Sequence, residues 1–258
     1  MKGAIMMHRI LRLIVILCLG ATALAGYVAA QSTTQKSDEA VIKVNPTSKA
    51  RIDIVSDNYD FGSIPRGAIV VHSFVVKNVG QETLAITNVK PTCGCTTAPL
   101  SDSLVAPGEQ TDIRATFNTQ NFNGRVKKQI YVDSSDPIKP YLKVSFSAII
   151  NNPLQTIMPS PSEVDFGKVM AGKPSETKVT ITNNDTTTAN LAIIEESAPS
   201  AVKAKLANAT IAPGASTELV LDLQPQAKVE TITQSITLEA SNIADSRFTI
   251  PWKAEIVQ

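Results

Sequence analysis

The chain has 258 residues, with 24 Lys and Arg against 23 Asp and Glu and a formal net charge of +1. That balance excludes a polybasic surface for nucleic acid and an acidic tail for a cation-rich partner. The length suits one large domain or two small ones, and plentiful Val, Ile and Thr favour strands, because β-branched side chains suit a pleated surface.

The first thirty residues stand apart. Lys2, Arg9 and Arg12 make a positive leader, followed by an apolar run from Leu13 to Leu19 that continues through small residues to Ala30. This is the pattern of a secretory signal over residues 1–30. Small-x-small cleavage sites follow Ala25 and Ala30, and the second is preferred because Gln31 opens a polar stretch. The run is also about long enough to span a bilayer, so an uncleaved inner-membrane anchor is the alternative, and the one route to a membrane. Cys18 lies in the middle of the run behind Leu17, where a lipidation motif needs a small residue, and reads as a leader hydrophobe. Export to the periplasm or cell envelope would put Cys93 and Cys95 in an oxidising compartment.

Residues 31–50 are polar and read as a linker. Beyond them the chain repeats itself. Asp60-Phe61-Gly62 and Gly67 recur as Asp165-Phe166-Gly167 and Gly172. Phe74 to Asn78 recurs as Val179 to Asn183, Leu84-Ala85-Ile86 as Leu191-Ala192-Ile193, and Ala106-Pro107-Gly108 as Ala212-Pro213-Gly214. Phe146 corresponds to Trp252. The spacing, about 105 residues, is typical of a sandwich domain. Within each unit apolar residues alternate, as in Phe74 and Val76, or Ile113, Ala115 and Phe117, which predicts strands with one buried face. Turn residues separate them. The sequence therefore predicts an all-β protein: two tandem immunoglobulin-like β-sandwich domains after a signal sequence. The first covers 51–150, a proline-stiffened connection 151–161, and the second 162–258, in an end-to-end relation.

The chemistry of interest is the segment Pro91-Thr92-Cys93-Gly94-Cys95-Thr96. Aligning Leu84 with Leu191 sets Ser200 opposite Cys93 and Val202 opposite Cys95, so the second unit writes the scaffold without thiols. Three readings stay open. Cys93 and Cys95 could form a disulfide or redox pair, with Gly94 supplying the backbone freedom for a tight ring. They could bind a soft metal, copper or zinc, although two thiolates are too few for a structural zinc site. Or they could be structural or bridge to another chain. His72 shares the register of Phe74 and Val76 and is expected to face the core.

Enzyme chemistry is not expected, and no cofactor is. With His8 in the leader, the mature chain has one histidine, which leaves little for a Ser-His-Asp or Cys-His arrangement. Asp-Phe-Gly matches part of a kinase magnesium motif but occurs twice and without the other kinase loops, so it reads as a turn.

Taken together, Asp60-Phe61-Gly62, Gly67, His72-Ser73-Phe74, Lys77-Asn78-Val79-Gly80, Leu84-Ala85-Ile86, Pro91 to Thr96, Ala106-Pro107-Gly108 and Gly124 resemble the bacterial domain of unknown function family numbered 1573. The resemblance covers about Asn58 to Ala148. It implies an immunoglobulin-like fold related to major-sperm-protein and cilium-associated modules, in exported proteins with no established activity. The second unit looks like a diverged copy. The expected role is a non-enzymatic binding or scaffolding protein of the bacterial envelope with a protein partner, engaged through edge strands or the Thr92–Ser103 loop. The alternatives are a thiol redox or metal-handling protein and a periplasmic chaperone-like module, the last resting on architecture alone.

Overall fold

The computed structural model describes residues 44–197, 200–226 and 229–258. The leader read over 1–30, its cleavage site, Cys18 and most of the 31–50 linker lie outside them. Every regular element among the described residues is a strand, as the period-two alternation predicts.

The first domain holds β1 (Ile52–Ile54), β2 (Asn58–Ile64), β3 (Ile69–Asn78), β4 (Leu84–Pro91), β5 (Thr96–Thr97), β6 (Leu104–Val105), β7 (Gln110–Asn118), β8 (Gly124–Ser134) and β9 (Tyr141–Ile150). The second holds β10 (Ile157–Ser160), β11 (Val164–Met170), β12 (Ser175–Asn183), β13 (Ala189–Glu196), β14 (Val202–Leu206), β15 (Thr210–Ile211), β16 (Ser216–Leu223), β17 (Glu230–Ala240) and β18 (Phe248–Val257). One sheet runs β1-β3-β7-β5, and its counterpart runs β10-β12-β16-β14. Each domain has its own core. In the first, Phe74, Val76, Ile113 and Phe117 meet Ile130, Val132, Val144 and Phe146 from the facing sheet. In the second, Val179, Leu219 and Leu221 meet Ile236, Leu238 and Trp252.

Polar staples repeat with the strands. Asn78 Nδ2 donates to the carbonyls of Glu82 and Val105, and its Oδ1 accepts the Gly80 N–H. Asn183 does the same with Thr187, Ile211 and Asp185. Both asparagines are fully buried, so these bonds satisfy groups that would otherwise be costly to bury. Asp60 and Asp165 each accept the N–H of the glycine two residues on, with Gly62 at φ 66° and Gly167 at φ 65°. The repeated acid is therefore a turn former. The Gly167 N–H, followed by the Lys253 ammonium, holds the Asp165 carboxyl below the usual carboxylate range.

Strand pairing corrects three details of the sequence reading. Leu84 pairs with Val105 and Ala189 with Ile211, so Leu84-Ala85-Ile86 corresponds to Ala189-Asn190-Leu191, two residues earlier than Leu-Ala-Ile similarity suggests. Thr96 pairs with Phe117 and Val202 with Leu223, which sets Cys95 opposite Ala201, one residue from the expected partner, and Cys93 opposite a position outside the described residues. The second domain still lacks the thiols. Finally, β10 occupies part of the segment read as connection: buried Ile157 pairs with Asn183 as Ile52 pairs with Asn78. Pro159 suggested a linker, but it lies on an edge strand, where a missing N–H is tolerated.

The domains do not meet end to end. They share one sheet, in the order β15-β13-β17-β18-β2-β9-β8-β4-β6, with β11 also beside β18. The junction is β2 against the start of β18, parallel, with Ser63 opposite Phe248. The Ser63 N–H donates to the Arg247 carbonyl at 2.8 Å, and Thr249 Oγ1 donates to the Phe61 carbonyl at 2.6 Å. A Cβ on Gly62 would overlap the Arg247 carbonyl, so this approach requires glycine. Next to it, Ser235 Oγ bonds both the N–H and the carbonyl of Val71, and Arg114 donates to the Thr233 carbonyl. Tyr59 donates to Thr237 Oγ1 at 2.7 Å. Ser235, Thr237 and Thr249 are all within 2 % of full burial.

Candidate functional site

The Cys-Gly-Cys segment links β4 to β5. Pro91 still pairs with Ile130, and the Thr92 N–H donates to the Gln129 carbonyl at 3.0 Å. The chain then turns sharply, with the Thr96 N–H donating to the Cys93 carbonyl at 3.3 Å. The Cys95 carbonyl accepts the Asn118 N–H, which fixes the loop to the end of β7. The two sulfurs sit at bonding distance from each other, with Cα atoms 5.3 Å apart. Thr96 Oγ1 lies 3.6 Å from Cys93 Sγ and 3.9 Å from Cys95 Sγ. Cys93 and Cys95 are half-buried, Cys95 packs against the core, Thr96 is buried, and Gly94 is exposed with open space around it. The pair is thus held by the scaffold on one side and reachable from solvent on the other.

The loop also closes a sheet edge. Cys95 bonds β7 through its carbonyl, so the next N–H, that of Thr96, points to the open side, where Cys93 takes it. The other edges carry different devices. At β14 the Ala204 N–H donates to Glu196 Oε1 at 3.0 Å. At β1 the Ile52 N–H donates to Asp136 Oδ2 at 2.9 Å, and Asp136 also accepts from the Ile138 and Lys139 N–H groups. Burial pushes the Asp136 carboxyl up, but these N–H groups, with Arg51 nearby, outweigh it and hold the carboxyl below its ordinary value. At these three positions the capped amide is a poorer template for strand addition.

His72 faces the first core and also ends in the domain junction. Its ring stacks on Tyr59, centroids 3.7 Å apart, and Nδ1 lies 2.8 Å from Glu195 of the second domain. Burial, with the Glu195 carboxylate next in weight, raises the Tyr59 phenol above its usual range. Among the described residues no three His, Cys, Asp or Glu converge to hold a metal ion.

Sequence reasoning did not foresee the junction, nor its counterpart on the first domain. There the outer sheet face carries Lys90, Tyr131 and Lys143 in one cross-strand row, all exposed. Tyr141 and Ile138, beside it, are 66 % and 69 % exposed. The available signal was two tyrosines at outward positions of strands whose inward positions already filled the core.

These features define the class: a tandem immunoglobulin-like β-sandwich protein with one Cys-Gly-Cys loop. Residues 52–150 match the family described as "Protein of unknown function (DUF1573)", and residues 156–255 match the "HYDIN/CFA65/VesB-like, Ig-like domain". The first domain is therefore a DUF1573 domain, followed in tandem by a diverged immunoglobulin-like domain. Similar solved structures include a protein of unknown function from Porphyromonas gingivalis W83, 17% identical, covering 79% of this chain and 99% of that one with a TM-score of 0.35. The N-terminal Ig1-2 module of Drosophila receptor protein tyrosine phosphatase DLAR is 10% identical, covering 80% and 99% with a TM-score of 0.38. The ASH/PapD-like domain 7 of human CEP192 is 14% identical, covering 41% and 87% with a TM-score of 0.31. No curated protein matches the chain.

Proposed function

We propose that this is a non-enzymatic, exported binding or scaffolding protein of the bacterial envelope that engages a protein partner, with no cofactor. The observation that carries this reading is the use made of His72. It is the one histidine outside the leader, and stacking on Tyr59 and bonding to Glu195 commit it to joining the domains. A general base would need its ring open to substrate, whereas this one is buried, stacked on Tyr59 and packed edge-on against Phe74. What remains for function is surface: the Cys-Gly-Cys loop and the outer face of the first domain, both on a two-domain platform held by a continuous sheet. Immobilised mature protein should retain a saturable protein partner from envelope extract, and failure to recover one would overturn the reading. Mass spectrometry of exported protein should show a chain starting at Gln31; a chain still carrying its leader would replace the secreted form with an anchored one.

A second reading is supported by the adjacency of Cys93 and Cys95 and by their absence from the second domain. In it the pair cycles between disulfide and dithiol, passing two electrons to or from a partner dithiol or disulfide. Copper or zinc binding would need the reduced pair. Thiol trapping of exported protein with and without reductant, then with Cu(I) or zinc, separates these. A pair that stays oxidised throughout and exchanges with no thiol partner ends both.

A further inference from the structure

The repeat gives the junction a second, open copy of each of its halves. On the second domain, the surface that receives the first is a cross-strand row, Glu195–Thr237–Thr249, together with the β18 edge at Arg247 and Phe248. Strand register identifies the same row on the first domain. Tyr59 pairs with Phe146 and Val164 with Trp252, so Lys143 occupies the place of Thr249, Tyr131 that of Thr237 and Lys90 that of Glu195. The first-domain edge equivalent to Arg247–Phe248 is Tyr141–Leu142. It precedes the point where β2 joins β9, since that pairing starts at Ser145. In the second domain Thr237 and Thr249 are almost fully buried, whereas Tyr131 and Tyr141 are 47% and 66% exposed. A groove of about 510 Å³ lies along this edge, lined by Leu142 and Lys143 and by the turn with exposed Val55.

The inserting half is duplicated too. In the first domain it is the bulged strand β2 with Gly62 against the Arg247 carbonyl, and Val71 against Ser235. In the second, Asp165-Phe166-Gly167 has the same turn and the same positive φ, and nothing lies within 4 Å of where a Gly167 Cβ would stand. The register places Glu176 where the first domain has Val71, since Val71 pairs with Thr116 and Glu176 with Asp222. In a repeat of the junction Glu176 would lie over Gln129, the counterpart of Ser235, on a face that also carries exposed Lys127 and Lys143.

We propose that a second copy of this chain docks head to tail on this face. The β11 edge of one molecule would continue the sheet at Tyr141–Lys143 of the next, with Glu176 set against Lys127 and Lys143. The contact is heterologous, so it propagates into chains of molecules instead of closing as a two-fold dimer. It is weaker than the internal junction, because Lys168 stands where Ser63 is buried and because the two halves are not tethered.

Sedimentation velocity on the mature protein over a wide concentration range tests this. The average mass should rise with concentration past that of a dimer. Lys127→Glu with Lys143→Glu should weaken association about tenfold or more, equal to about 1.4 kcal/mol. Glu176→Lys should do likewise, and mixing the two variants should restore growth past the dimer, as alternating chains of the two. All three positions are exposed; Trp252 emission checks the second core and far-ultraviolet circular dichroism the first. A protein that stays monomeric at every concentration overturns the proposal. So does association that ignores both variants, or that responds to the lysines alone, which would mean a different occupant. A monomer that still captures an envelope partner would sink this inference while leaving the proposed function standing.

Discussion

Replacing one glycine on each side of the repeat measures the junction directly. Gly62 and Gly167 share the Asx turn and a left-handed φ of 66° and 65°. Alanine at either position costs about 1–2 kcal/mol for that backbone conformation. Only at Gly62 does the new methyl meet the other domain, overlapping the Arg247 carbonyl. To make room, β18 must withdraw and give up the bonds from Ser63 N–H to Arg247 and from Thr249 Oγ1 to Phe61. Leaving one or both of these buried groups unpaired adds about 1–3 kcal/mol each. Gly62→Ala should therefore lose roughly 2–8 kcal/mol and Gly167→Ala about 1–2, the first being a large share of typical domain stability. Urea unfolding followed by Trp252 emission and by far-ultraviolet circular dichroism provides the assay. Trp252 is the single tryptophan and is buried in the second core, so it reports that domain alone. The two probes should coincide for the parent and for Gly167→Ala and should separate for Gly62→Ala. Equal losses in the two variants would refute the argument.

Other consequences are as direct. Asp136→Asn should cost about 2–3 kcal/mol at neutral pH by weakening the cap on Ile52. Because the Asp136 carboxyl is lowered in the fold, its contribution is complete above the ordinary carboxylate range and vanishes as pH falls through the lowered value, so the gap between parent and variant should close in acid melts. The Tyr59 phenol is raised in the fold, so its contribution is complete below about pH 10, the unfolded value, and is lost as pH rises beyond it; alkaline melts of Tyr59→Phe should show a shallower decline than the parent. Cys93→Ser with Cys95→Ser closes no large loop, so stability should fall by no more than about 2 kcal/mol, with Trp252 emission unchanged. A collapse of the fold in that variant would make the pair structural.

The sequence displayed its repeat through the polar staples and buried apolar residues. Asp60, Asn78, Gly67 and Gly108 each have a counterpart because the backbone needs the same turn twice. Leu84 misled for a physical reason: its true counterpart, Ala189, fills less space, and the nearby Leu191 offers a better letter match. The loop carrying Cys93 and Cys95 was visible as a motif, but its capping of the Thr96 amide was not, because a backbone carbonyl does the capping. The junction was hidden because Ser235, Thr237 and Thr249 look like outward-facing strand residues. A clue lay in Ile69-Val70-Val71, apolar on successive positions where a one-sided strand should alternate.

The shared sheet also determines how the protein would carry load. Strands β2 and β18 run parallel at the junction. A pull on the N-terminal side of β2 against the C-terminal end of β18 slides these strands along each other. Their hydrogen bonds, with Tyr59–Thr237 and Val71–Ser235 alongside, then resist together instead of opening one at a time. If the leader holds the chain to a membrane while a partner grips the far domain, the junction would behave as a stiff coupling under tension.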